Sequence, residues 1–141
     1  MAKRFLTAVL SVILFAIIFS CFSFVPSSQR EPNVYYFGFL ETFIFVIIYA
    51  GPIYLIIGVP LSIFIDKLIK KANNTLKWAR YFIGLGLYSL AGILVGTLFI
   101  IFSQHIQLLE VISFSVYGFV ASNIYYHLLL LASKNKYLIF N

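Results

Sequence analysis

Four apolar blocks, Phe5 to Val25, Thr42 to Ile65, Tyr81 to Phe102 and Leu109 to Ala132, constrain what this chain can fold into more than any other feature of it. Each reaches the roughly 20 residues that cross a hydrocarbon core about 30 Å thick. In that medium every backbone polar group must be satisfied internally, which leaves helices or a closed barrel. Runs such as Phe43 to Ile48 and Leu128 to Leu131 are apolar on every side and lack the alternation of a barrel strand. The expected fold is an all-α membrane protein with four transmembrane helices over about 5–25, 42–65, 81–102 and 109–132. Charged residues, at 10% of the sequence, are far below the roughly 25% of soluble proteins. The longest polar joint, Asp66 to Arg80, is too short to build a core of its own, and no 20–50-residue period repeats along the chain. Residues 1–141 therefore read as a single helical bundle.

Basic residues set the expected orientation. Lys3 and Arg4 precede the first block, Lys67, Lys70, Lys71, Lys77 and Arg80 lie between the second and third, and Lys134 and Lys136 follow the fourth. Four crossings put these regions on one side and leave Arg30 alone on the other. The positive-inside rule then makes both termini cytoplasmic. Glu31, Glu41 and Glu110 fall on the opposite side. Tyr35, Tyr36, Phe37 and Phe39 are expected in an outer aromatic belt, with Trp78, Tyr81, Phe82, Tyr125 and Tyr126 in an inner one. The net charge of +6 needs no nucleic-acid partner, because basic cytoplasmic loops face anionic lipid headgroups.

The first block begins like a signal peptide, but its apolar run exceeds the 7–15 residues of a typical h-region, and no clean A-x-A site follows. A retained anchor is expected. Cys21 is the single cysteine and reads as a simple thiol. Bulky Phe19 argues against lipoprotein processing at Ser20-Cys21.

Small residues line expected packing faces. Gly51, Gly58 and Ser62 fall within about 40° of one another on a helix, since seven and eleven residues are nearly whole numbers of turns. Gly92 and Gly96 stand in GxxxG register in the third block, and Ser115, Gly118 and Ser122 line the fourth. Lipid gives no hydrophobic drive between helices, so close backbone approach is what such faces offer. The same GxxxG pattern also suits a homodimer contact.

The second block carries Pro52 and Pro60, which deny hydrogen bonds to the carbonyls of Ile48 and Ile56. A helix kinked or broken at Gly-Pro is expected. Counting about 1.5 Å per residue inward from the outer boundaries brings Ser11, Tyr54, Tyr88, Ser89 and Asn123 to one depth. The expectation is a polar layer in which Asn123 bridges the broken second helix, either as interhelical glue or as a transport site.

Ionisable residues do not form an expected reaction centre. Glu41 and Asp66 read as interfacial charges. His105, Glu110 and His127 lie too far apart along the topology for a metal cluster, and no HExxH, Cys/His ligand spacing, phosphate loop or nucleophile elbow occurs. No enzyme, cofactor or metal is expected.

The segment IYLIIGVPLSIFIDKLI, the four blocks and the basic central loop together resemble a family of small four-pass membrane proteins from Bacillus. The resemblance implies a bacterial plasma membrane and brings no catalytic residues. Small multidrug transporters also have four spans, but they carry a glutamate in the first helix, where this chain has none. The expected role is that of an accessory or interaction protein acting through helix contacts, with lipid, another membrane protein or a second copy as partner. The alternative is a minimal oligomeric transporter or channel with its polar site near Asn123.

Overall fold

The computed structural model describes residues 2–71, 77–103 and 107–134. Helix α1 covers Ala2–Ser23 and is followed by a short 3-10 turn at Ser27–Gln29. The second span comprises α2, Phe39–Ile53, a π-helical stretch at Tyr54–Gly58, and α3, Val59–Lys71. Helices α4, Lys77–Ser103, and α5, Leu108–Lys134, complete the chain. Four helices, Ala2–Ser23, Phe39–Lys71, Trp78–Ile101 and Leu108–Ser133, are long and apolar enough to cross a membrane.

Each lies within a few residues of its expected block except at the Lys71 end of the second, where helix continues through Asp66 to Lys71. Lys70 and Lys71 occupy its last turn, where the helix dipole favours cations. At the other end, Glu41 accepts the Gly38 backbone N–H at 2.8 Å, so the residue expected as an interfacial charge caps α2. The Tyr35 hydroxyl also donates to this carboxylate, at 2.9 Å, which holds the Tyr35 phenol above its ordinary pKa.

Helix α1 buries Thr7, Ala8, Ser11, Val12, Phe15, Ala16 and Ser20, a stripe at three- and four-residue intervals that packs against α2 and α5. The opposite pattern marks the surface of α4, where Leu90, Leu94, Leu98 and Ile101 are each at least half exposed. Such a stripe is costly in water and suited to lipid.

The tightest joint is between α4 and α5. A Cβ at Gly92 would lie 2.2 Å from the Gly118 carbonyl oxygen, one at Gly96 2.2 Å from that of Phe114, and one at Gly118 2.1 Å from that of Gly92. The two backbones touch. The GxxxG face is thus occupied within the chain, which removes it as a homodimer contact. Ser122 and Ser115 sit on the same joint and return their hydroxyls to the carbonyls of Phe119 and Val111, at 3.0 and 2.6 Å. Back-bonding of this kind satisfies a hydroxyl in hydrocarbon without a partner helix.

The face expected from Gly51, Gly58 and Ser62 is not a packing face as a whole. Nothing lies within 4 Å of a Cβ at Gly51, and one at Gly58 would meet only atoms of its own span, the Tyr54 ring at 3.9 Å and the Ile53 carbonyl oxygen at 4.0 Å. Ser62 alone is fully buried. The reason is topological, because α2 makes its helix contacts with α1 whereas α3 packs against α4. Tyr125 and Tyr126 also depart from the expected inner belt. Both are buried, with Tyr88 stacked on Tyr126 at a centroid separation of 4.9 Å, because they face α4 rather than the membrane surface.

Candidate functional site

The change of neighbours along the second span opens a lateral cleft. In the π-helical stretch, Val59 N–H reaches back five residues to the Tyr54 carbonyl. Pro60, one residue on, has no N–H to give. Below this point α3 seats on α4. Above it α2 stays with α1, and a gap of about 590 Å³ remains between α2 and the α4–α5 pair. Phe15 and Phe19 form its back, Val46, Ala50 and Ile57 one flank, and Ala91, Val95 and Ala121 the other. Its extent along α4, from Tyr88 to Phe99, corresponds to about 16 Å at the rise of a helix. The volume is in the range of small-molecule sites, about 300–1,000 Å³.

Tyr54, Tyr88 and Tyr125 close the end nearer Arg4, each with its hydroxyl engaged elsewhere. Tyr54 donates to the Ala121 carbonyl at 2.8 Å, Tyr88 to the Ser62 carbonyl at 3.5 Å, and Tyr125 to Ser62 Oγ at 3.2 Å. The walls therefore present rings and methyl groups to an occupant.

Directly beneath is a polar cluster. Ser62 Oγ accepts from Arg4 Nη1 at 2.6 Å and from Tyr125, and donates to the Val59 carbonyl at 2.7 Å. That saturates a hydroxyl, which has one proton and two lone pairs. Arg4 Nη2 pairs with Asp66 Oδ2, both side chains being about one-quarter to one-third exposed, at 23% and 34%. One guanidinium thus ties α1 to α3 while one serine connects both to α5. Asp66, expected as an interfacial charge, is in addition an ion-pair partner.

The expected polar layer separates into independent pairs. Asn123 Nδ2 donates to Ser89 Oγ at 3.1 Å and to the Phe119 carbonyl at 2.8 Å, and Ser89 Oγ donates back to Asn123 Oδ1 at 3.4 Å. These bonds join α5 to α4, and Asn123 does not bridge the second span. Tyr54 approaches α5 instead, and Ser11 bonds to the Thr7 carbonyl of its own helix at 2.7 Å. Pro52 and Pro60 are exposed on the outside of the second span. Rotational phase makes the difference, since equal depth does not imply a shared face. Asn123→Leu is expected to lower stability in detergent modestly, by about 0.6 kcal/mol for each interhelical bond lost, as measured by thermal unfolding. It is expected to leave the second span unaffected.

Residues missed in the sequence are Arg4 as a structural partner and the link it makes through Ser62. Ser62 and Asp66, four apart, share a helix face, and that spacing is a signal in retrospect. Nothing in the sequence located Arg4 opposite them. His105 and the loop around it lie outside the described residues. Among the described residues no group of three His, Cys, Asp or Glu side chains converges in a way that could hold a metal ion.

The fold and cleft define an all-helical protein with four helices fit to span a membrane, a multi-pass architecture with a side opening. No family model, curated protein or solved structure matches the chain.

Proposed function

We propose that this is a non-catalytic accessory protein of a bacterial plasma membrane, with both termini cytoplasmic and the second span kinked at its Gly-Pro sites. It works by receiving a transmembrane helix of another protein in the lateral cleft. The observation that carries this reading is the cleft itself, an apolar recess at membrane depth that α2 leaves open beside α4 and α5. One flank includes the half-buried Ala91 and Ala121, small residues of the kind that permit close helix approach in lipid. The basic residues at the Arg4 end, among them Lys3, Lys67 and Lys70, support the orientation and contact with anionic headgroups.

A benzophenone amino acid placed at Val95 and photoactivated in native membranes tests the proposal. The expected product is a discrete adduct with one heterologous membrane protein, absent when the probe is moved to lipid-facing Leu94 on the same helix. Adducts of equal yield at both positions, or lipid adducts alone, would overturn it.

A further inference from the structure

At the Arg4 end of the bundle α1, α3, α4 and α5 surround a common interior, whereas at the Glu41 end α2 packs on α1 and makes no substantial contact with α4. A single element, Tyr54–Gly58, separates the two arrangements.

We propose that α2 is a hinged arm that swings about this π-helical stretch to close the lateral cleft against α4 and α5. Three observations carry the inference. The first concerns the hinge. The ladder is weakest where a five-residue bond meets a proline without an N–H, and such interruptions are where helices bend.

The second is that everything on the far side of the hinge is anchored. Ser62 and Asp66 fix α3 to Arg4 and Tyr125, and Tyr54, at the start of the π stretch, is fixed to α5 through the Ala121 carbonyl. Motion is thereby confined to Phe39–Ile53. The third is that the arm has space and a seat. Gly51 has nothing within 4 Å of a Cβ position, and the facing wall carries Ala91 and Ala121. Contact with α1 gives the arm a surface to roll over while it moves. Closure supplies the missing helix–helix side and produces a regular four-helix bundle. Hinge closure of this type proceeds on the microsecond-to-millisecond scale.

The inference goes beyond the proposed function, because an empty protein should show the motion whatever the cleft receives. The test uses full-length protein in membranes in a Cys21→Ser background, with Val46→Cys and Val95→Cys placed on opposite flanks of the cleft. Ser89→Cys with Asn123→Cys serves as a reference pair, since the parent atoms are 3.1 Å apart across a fixed joint.

A moving arm is expected to give a Val46–Val95 disulfide under mild oxidation at a rate within tenfold of the reference. Adding Pro60→Ala, which restores a backbone donor at the hinge, should slow the arm pair at least threefold and leave the reference unchanged. A rigid cleft would instead give a rate insensitive to Pro60→Ala, or linkage by long spacer reagents alone. Spin labels at the same two positions provide an independent readout, with two distance populations expected. One sharp population would overturn the hinge even if no disulfide forms.

Discussion

Gly118→Ala is expected to be the most damaging single-methyl change in this protein. The new Cβ would stand 2.1 Å from the Gly92 carbonyl oxygen and 2.9 Å from its carbonyl carbon, and backbone atoms cannot rotate away as a side-chain tip can. Helices α4 and α5 would have to move apart along their joint. Overpacking of a close interface costs typically about 1–3 kcal/mol, and the upper end or beyond applies where both partners are backbone. Separation also weakens the Asn123–Ser89 pair, which spans the same joint. Thermal unfolding in detergent should show a large fall in midpoint, with Gly92→Ala similar and Gly51→Ala neutral or slightly stabilising. The last expectation follows because Gly51 has open space and alanine favours helix over glycine by about 0.5–1 kcal/mol. Equal behaviour of Gly51→Ala and Gly118→Ala would contradict the backbone contact.

The second large effect concerns the polar cluster. Arg4→Ala leaves the Asp66 carboxylate and one Ser62 lone pair without their donor. Breaking a fully buried ion pair costs about 3–5 kcal/mol, and partial exposure of both partners reduces that, so about 2 kcal/mol is expected here. Asp66→Ala should cost a similar amount. The double variant should cost less than the two singles combined, since neither charge is then stranded. Thermal midpoints of the four proteins in one double-mutant cycle measure this. Strict additivity would show that the pair contributes nothing. Ser62→Ala adds a distinct loss, because Tyr125 and Arg4 both lose an acceptor in one step.

The course of the four spans was legible in the sequence because hydrocarbon imposes one requirement on every residue of a block, and length and apolarity report it directly. Gly92, Gly96 and Gly118 were legible for a related reason, since a stripe without side chains has a use only where backbones meet. The side-chain amide of Asn123 marks a need for a protein partner without identifying which one. Depth along a helix follows from residue number, whereas facing depends on how each helix is rotated about its axis, and a change of about 100° per residue moves a side chain to another neighbour. That is why Tyr54 bonds to Ala121 and Asn123 to Ser89.

Arg4 illustrates a different limit. A cation next to the first span serves the positive-inside rule wherever it points, so topology alone could not reveal that it reaches Ser62 and Asp66. By their missing donors the prolines call for a polar group inside the bundle. Instead they face outward, and α2 and α3 on either side of the π-helical stretch have different partners.

The engaged hydroxyls of Tyr54, Tyr88 and Tyr125 carry a consequence for selectivity. With their polar atoms committed to the protein itself, the cleft offers an occupant little beyond dispersion contacts, and the lipid tails it would leave offer nearly the same. Net affinity then comes from how well contours match, and an ill-fitting guest is lost quickly to the surrounding bilayer. On the proposed function, such a recess would sort its visitors by residence time, retaining a helix whose ridges fit between Val46 and Val95 and releasing acyl chains, which conform to any wall but are held by none.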